Sequence, residues 1–169
     1  MPVLQTLPIV QSAPLNLLAL NNYQVANLVK KFGWPNYRTQ QVLEWIYQHG
    51  VKEIDLMSNL SKKDRSRLKE VAAIVRTPEP TVIESEDGTR KLLFSLNNGL
   101  SIESVLIPDD SKLTLCISTQ IGCTVDCCFC LTGQMGLKRN LKAHEIVDQV
   151  MSTRDILPEG KRITSWRRL

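Results

Sequence analysis

All five cysteines of the chain fall within the stretch Cys116-Ile-Ser-Thr-Gln-Ile-Gly-Cys123-Thr-Val-Asp-Cys127-Cys128-Phe-Cys130, and none precedes it. Cysteines used only as small buried side chains would be scattered through the chain, so the clustering points to thiolate chemistry. The stretch also constrains the fold. A short strand pattern, Leu113–Thr119, runs directly into it, and a helical pattern, Ala143–Asp155, follows. Strand, functional loop and helix in that order form the first unit of a β/α barrel, where sites are built on loops at the carboxyl ends of strands.

Composition limits what kind of chemistry this is. Hydrophobic residues make up 43% and charged residues 22%, as in ordinary globular proteins. No apolar run approaches the ~20 residues needed to cross a bilayer, so no membrane partner is expected. Pro2, Pro8 and Pro14 interrupt the amino terminus and no basic region precedes it, which argues against a secretory signal. The expected location is cytoplasmic. There, clustered cysteines serve metal binding or catalysis more readily than structural disulfides. The charge is uneven: residues 1–80 carry 10 Lys and Arg against 6 Asp and Glu, whereas the remainder is balanced. A basic front half suits a polyanion such as RNA, although a solvated helical surface explains that charge equally well.

Helical spacing organises the front of the chain after an irregular lead-in over residues 1–15. Val25, Leu28, Val29 and Phe32 recur along a first helix that Gly33 stops. Val42, Leu43, Trp45 and Ile46 line a second, from about Arg38 to His49, ended by Gly50. A third starts at Ser61, with Asp64 three residues on as a variant capping box, and presents Leu68 and Val71 to a core. Lys30, Lys31, Arg38, Lys62, Lys63, Arg65, Arg67 and Lys69 are candidates for phosphate contacts. Trp34, Tyr37 and Tyr47 are candidates for base stacking, with a core role favoured for Trp45 and Tyr47. Pro78-Glu-Pro80 marks a boundary, and strand patterns follow it. Thr81–Glu86 and Thr89–Leu96 flank an Asp87-Gly88 turn, and Leu100–Ile107 is closed by Pro108. Along Ala143–Asp155, Ile146, Val147, Val150 and Met151 fall on one side, and the next strand would begin at Arg162-Ile163-Thr164-Ser165. The fold class is therefore α/β, with α+β character in this part. A helical module over residues 16–78 precedes the start of a β/α barrel over residues 79–169.

The spacing Cys123-x-x-x-Cys127-x-x-Cys130 supplies three thiolates from one loop. A structural zinc site wants four protein ligands, and no well-placed fourth Cys or His follows. A cubane iron–sulfur cluster held by three cysteines keeps one iron open to an amino-acid-like ligand, such as the methionyl end of S-adenosylmethionine. A redox dithiol at Cys127 and Cys130 is the rival reading, though it has no use for Cys123. Cys128 offers a second, more cramped register and is read as a bystander.

The triad, with Phe129 as its aromatic, resembles the motif of the radical S-adenosylmethionine superfamily. A longer set of matches is more specific: Glu103-Ser-Val-Leu-Ile-Pro108, Leu115-Cys116, Ser118-Thr-Gln-Ile-Gly-Cys123, Thr132-Gly-Gln and Arg139-Asn-Leu. With Asn16-Leu-Leu, Tyr37-Arg38, Gln41-Val, Trp45-Ile-Tyr47 and Asn59-Leu-Ser in front, the chain resembles the dual-specificity RNA methyltransferases over residues 15–164. The resemblance implies a radical S-adenosylmethionine partial barrel and methylation of adenine carbon 2 in ribosomal RNA (rRNA) and transfer RNA (tRNA). A sister branch methylates carbon 8 of the same ribosomal adenine. It implies one 4Fe–4S cluster on Cys123, Cys127 and Cys130, S-adenosylmethionine with Phe129 beside it, and an electron donor such as flavodoxin or ferredoxin.

In that family one S-adenosylmethionine methylates a protein cysteine, and a second yields a radical that activates this methyl group for addition to the base. A further cysteine resolves the adduct, and Cys116 matches it; a buried strand thiol is the plain alternative. Glu103 matches a substrate-facing glutamate. Period-two counting puts it on one strand face with Val105 and Ile107, an apolar setting that would raise its pKa and suit it to bond adenine or shuttle a proton. Gln134, Arg139 and Asn140 are expected to stabilise the loop, and His144 to lie at the surface. No residue matches the family's methyl-accepting cysteine or its Gly-Glu-Pro motif, and Ser165-Trp-Arg-Arg-Leu169 departs from its pattern. The expectation is an interrupted chain that does not complete turnover alone. The competing readings are a non-catalytic RNA-binding remnant and a standalone iron–sulfur or zinc fragment.

Overall fold

The computed structural model describes residues 13–96, 99–125, 128 and 130–169. Its first half is built from three helices, of which the first and third start on side-chain caps. α1 (Asn22–Lys31) begins at Asn21, whose side chain accepts the Gln24 amide while the Gln24 side chain accepts the Asn21 amide, each at 2.9 Å. This reciprocal box satisfies two amides that the first turn leaves without partners. α2 (Tyr37–Tyr47) buries Val42, Leu43 and Ile46. α3 (Lys62–Val71) starts on Ser61, whose hydroxyl accepts the Asp64 amide at 3.1 Å, and buries Leu68. Val71, expected in the core, is exposed: the helix ends there, and the inward position passes to Ala72.

Residues 1–12 of the expected irregular lead-in lie outside the described residues, and its last residue, Leu15, belongs to a strand. Leu15–Asn16 (β1) pairs in parallel with Ala72–Ala73 (β2). Asn16 extends that pairing with its side chain, which donates to the Val75 carbonyl at 3.1 Å and accepts the Val75 amide at 3.0 Å. Around the helices, Trp34 stacks on Phe32 with centroids 4.8 Å apart and donates its indole N–H to Asp64 at 3.0 Å. It is therefore committed to the module rather than open to a base. Trp45 and Tyr47 pack against the core, and Tyr37 stays exposed.

From residue 81 the chain forms a five-stranded sheet in the order β3 (Thr81–Glu84), β4 (Arg90–Ser95), β5 (Ser101–Asp109), β6 (Lys112–Ile117) and β9 (Ser165–Arg168). Neighbours are antiparallel except β6 and β9, which run parallel. Pro108 does not close β5. The strand continues through it to Asp109, because beyond Leu106 it pairs with β6 alone and its other edge needs no N–H. The last strand forms three residues later than the sequence suggests, in the tail read as departing from strand sequence. The Thr164 amide donates to the Leu113 carbonyl at 2.9 Å and the Thr114 and Ser165 hydroxyls lie 2.7 Å apart, which starts the parallel ladder there. β9 is exposed along most of its length.

α5 (Ala143–Asp155) crosses from β6 to β9 and joins the two halves. Ile146 and Val150 pack on the sheet core of Leu92, Phe94, Ile102, Leu106, Leu115 and Ile117. Met151 faces the other way, into the helical core with Leu17, Leu18, Val42, Ile46 and Met57. Val147, expected to share their face, is 37% exposed against 4% for Met151. The seam is polar. Arg76 is bonded to Asp148 through Nε, and its Nη2 donates to Ser152 at 2.9 Å and Asp155 at 3.3 Å. Asp148 also accepts the Thr77 amide at 2.6 Å and hydroxyl at 2.7 Å. Arg154 donates to the Tyr47 and Gln48 carbonyls, at 3.0 and 3.2 Å, where α2 ends.

Met151→Ala therefore opens a cavity in the helical module although the residue lies far along the chain, and should cost ~2–4 kcal/mol. Val147→Ala, one turn away, should cost less than ~1 kcal/mol. Urea unfolding of both variants checks the pair.

Candidate functional site

The cysteine loop is clamped at its base. β7 (Gln120–Ile121) and β8 (Arg139–Asn140) form a short antiparallel ladder, extended by Lys138 N–H to the Ile121 carbonyl at 2.8 Å and Leu141 N–H to the Thr119 carbonyl at 2.9 Å. Gly122 sits just inside with φ +76°, and a Cβ there would lie 1.9 Å from the Gly136 carbonyl oxygen. Only glycine allows the two ends of the loop to approach this closely. Gln134, at the end of α4 (Leu131–Gln134), donates its side-chain amide to the Cys128 carbonyl at 2.6 Å. Gln134 and Arg139, read as loop stabilisers, thus both bond within or beside the loop, and Asn140 pairs with Gln120.

Arg139 ties the clamp to α5. Its guanidinium donates to both carboxylate oxygens of Glu145, at 2.7 and 2.8 Å, and Glu145 also accepts the Lys142 amide at 2.7 Å. The Arg139 hydrogen bond, with the Lys142 amide adding to it, outweighs partial burial and holds the Glu145 carboxyl down at about 2. His144, expected at the surface, is half-buried beside Glu145, where it lines a cleft with Arg76, Lys142 and Asp148.

Cys116, Cys123, Cys128 and Cys130 are free thiols. Cys123 and Cys130 are half-buried while Cys128 is exposed. The Val125 amide donates to the Cys123 sulfur at 3.4 Å, the kind of hydrogen bond that tunes an iron–sulfur ligand. Cys127 and Phe129 lie outside the described residues, and among the described residues no three His, Cys, Asp or Glu side chains gather as a metal site. The donors present fit a thiophilic cluster: half-buried soft sulfur on a clamped loop, with an amide aimed at one of them.

Cys116 and Glu103 meet through the sheet register. Cys116 pairs with Val105 across β5 and β6, and Glu103 lies two residues from Val105 on the same face. That is the face opposite α5, since the intervening Ser104 and Leu106 are buried toward the helix. The setting of Glu103 is not the apolar one expected. Lys91 on β4 reaches it at 3.7 Å and its side chain is 43% exposed, because β4 contributes a cation to the same face. The sequence reading passed over the polar side chains that fix this region from behind: Asp148, Gln149, Ser152 and Thr153, all buried on α5. Their only signal is paired polar positions one turn apart within an otherwise amphipathic helix.

The Arg139–Glu145 pair carries a pH signature. Glu145 has a lower pKa folded than its ordinary 4.5, so its contribution is complete above about 4.5 and is lost as pH falls toward about 2. Arg139 is 31% exposed, so solvent screening limits the contribution to ~1–2 kcal/mol. The stability gap between the parent chain and Glu145→Gln should be constant from pH 5 to 8 and close between about 4.5 and 2, as read by denaturant unfolding at each pH.

Residues 15–74 match the family model described as the ribosomal RNA large subunit methyltransferase N-terminal domain. The dual-specificity RNA methyltransferase RlmN of Marinobacter nauticus is 49% identical over 140 residues, which is 82% of this chain and 38% of that protein. The enzyme of the same name from Bdellovibrio bacteriovorus is 39% identical over 155 residues, 92% of this chain and 39% of its own length. The crystal structure of a radical SAM methyltransferase from Sphaerobacter thermophilus superposes with a TM-score of 0.78 at 34% identity, over 90% of this chain and 46% of that one. The chain thus spans about two fifths of the length of the curated relatives it matches. Likeness of this order, running through the helical module, the sheet and the clamped loop alike, makes the chain a member of the RlmN-like family.

Proposed function

We propose that the chain carries the RNA-facing module and the cluster loop of a radical S-adenosylmethionine methyltransferase acting on adenine carbon 2 of rRNA and tRNA. The observation that carries this reading is the shared sheet face of Cys116 and Glu103, with the cysteine loop leaving the carboxyl end of the same strand. A thiol, a carboxylate and a soft-donor loop at one strand end are what a covalent radical methylation needs in one place. The names of the relatives, dual-specificity RNA methyltransferases, support the reaction class and an RNA substrate.

Cys123, Cys127 and Cys130 would hold a 4Fe–4S cluster, with Phe129 against S-adenosylmethionine. Bound together, the cluster and S-adenosylmethionine supply a carbon-centred radical that can activate a methyl group. The chain's own residues do the rest. Cys116 offers the nucleophilic thiol that resolves a covalent intermediate. Glu103, with Lys91 3.7 Å away, offers its side-chain oxygens as hydrogen-bond acceptors to an adenine edge. Cys128 contributes its backbone to the loop and not its sulfur. Flavodoxin or ferredoxin would deliver electrons, in the cytoplasm; no helix among the described residues is long and apolar enough to cross a membrane.

Anaerobic reconstitution with iron and sulfide tests the ligand set. The parent chain and Cys128→Ala should each take up about four iron and four sulfide with broad visible absorption. Cys123→Ala, Cys127→Ala and Cys130→Ala should each lose that uptake. Equal loading of Cys123→Ala, or tetrahedral zinc as the bound metal, would overturn the assignment.

RNA binding needs a different handle, because removing residues 81–169 would also take Met151 out of the helical core. Lys30 and Lys31, in the last turn of α1, are exposed. Lys30→Glu with Lys31→Glu should weaken binding of a ribosomal RNA hairpin across sequences and lower the salt slope by about one for each phosphate no longer neutralised. Unchanged binding and slope in a gel-shift series would remove this surface from the proposal.

A further inference from the structure

Gln149 reaches neither Cys116 nor Glu103 with its side chain, yet its amide uses every bonding position it owns. It is 1% exposed. Oε1 accepts the Ser104 hydroxyl at 2.8 Å and the Ser118 amide at 2.9 Å. Nε2 donates to the Ser118 carbonyl at 3.0 Å and the Glu145 carbonyl at 3.2 Å. An amide side chain has two donors and two acceptor sites, and all four are engaged.

The position of Ser118 gives these bonds their consequence. Pairing of β6 with β5 ends at Cys116, and pairing with β9 ends at Ile117. At Ser118 the ladder has run out, and the Gln149 amide takes the place of a neighbouring strand by bonding both its N–H and its C=O. The Ser118 hydroxyl then donates to the Glu103 carbonyl at 2.7 Å. One buried side chain thus connects the backbone of Glu103, the end of the strand that carries Cys116, and the entrance of the cysteine loop.

We propose that Gln149 is a positioning residue: it holds the end of β6 so that the Cys116 thiol stays fixed beside Glu103 and below the cysteine loop. The inference rests on the reading of Cys116 as a reacting thiol. Gln149 touches no reacting atom itself. Without its amide, the Ser118 N–H and C=O lose these partners in a half-buried position, which favours opening of the strand end. Cys116 lies two residues upstream of that opening.

The test is the rate at which iodoacetamide alkylates Cys116 in the metal-free, reduced, full chain, read peptide by peptide by mass spectrometry. Gln149→Met keeps the volume and removes the amide, and should speed Cys116 alkylation about tenfold. Thr153→Val is the control: that buried hydroxyl donates to the Gln149 carbonyl at 2.7 Å, one turn further along the same helix. It should lower the melting temperature without changing the Cys116 rate. An unchanged rate in Gln149→Met, or equal acceleration in Thr153→Val at matched melting temperature, would overturn the proposal. If Gln149→Met fails to fold, Ser104→Ala removes one donor to Oε1 and should give about two- to threefold acceleration; no acceleration overturns it as well. Cluster assembly is measured separately, so a failed ligand set and a failed positioning role give different results.

Discussion

A helix of thirteen residues cannot offer one apolar strip to a sheet and another to a helical module without burying polar side chains in the seam between them. α5 is in that position, with Ile146 and Val150 on the sheet core and Met151 in the helical core. Three of its buried polar residues are satisfied by something outside the helix, while the Thr153 hydroxyl bonds the Gln149 carbonyl within it. Asp148 takes Arg76 and Thr77, Gln149 takes Ser104 and Ser118, and Ser152 takes Arg76. Breaking a buried ion pair by removing one partner costs ~3–5 kcal/mol, far more than the pair contributes when compared with an apolar replacement. The seam is therefore better understood as fixing one arrangement of the two halves than as a source of net stability.

The same chemistry recurs where strands end. Asn16 bonds both backbone groups of Val75 beyond the β1–β2 pairing, and Gln149 bonds both backbone groups of Ser118 beyond β6. Each side-chain amide replaces a strand that is not there. For Ser118 the result is directional. The peptide is locked just before the chain turns into β7, and the loop that follows is closed by the Gly122 approach to Gly136 and by the Arg139–Glu145 fork. A loop held on both sides can present several thiolates with little left to order on binding, which is the preorganisation that a thiolate-ligated cluster requires.

What the sequence made legible follows from how local each signal is. The span of α5, the Ser61 cap and the turns at Gly33, Gly50 and Gly88 depend on residues within a few positions of each other and are read directly from spacing. The family resemblance singled out Glu103 and Cys116 in two separate segments, and strand alternation put Glu103 on the face of Val105. Misreadings came wherever a distant partner decided the outcome. Val147 and Met151 look alike on a helical wheel, and only the helical module behind Met151 separates them. The surroundings of Glu103 depend on Lys91, which reaches it through a register set by the β4–β5 hairpin. The strand at Ser165–Arg168 has arginines and an exposed Trp166 where an apolar run was expected, because a strand at a sheet edge needs backbone partners more than buried side chains.

The basic character of the front half also changes meaning once partners are visible. Arg38 is bonded to the Asn59 carbonyl and, at 2.9 Å, to the Gln41 side chain, so its role is to hold the segment before α3. Arg65 bonds the Asp55 carbonyl, Lys69 pairs with the Asp55 carboxylate at 2.6 Å, and Arg67 lies over the Phe32 ring. Four of the eight candidate phosphate-binding cations thus have work inside the module. Lys30 and Lys31 at the end of α1, and Lys62 and Lys63 at the start of α3, are exposed at opposite helix poles. For α1 the placement is also favourable to the helix itself, since cations near a carboxyl terminus oppose its dipole. At the amino terminus of α3 the same charge works against the dipole. Lys62 and Lys63 therefore bring the helix no electrostatic gain from that terminus, which makes them the pair whose presence is better explained by an anionic partner.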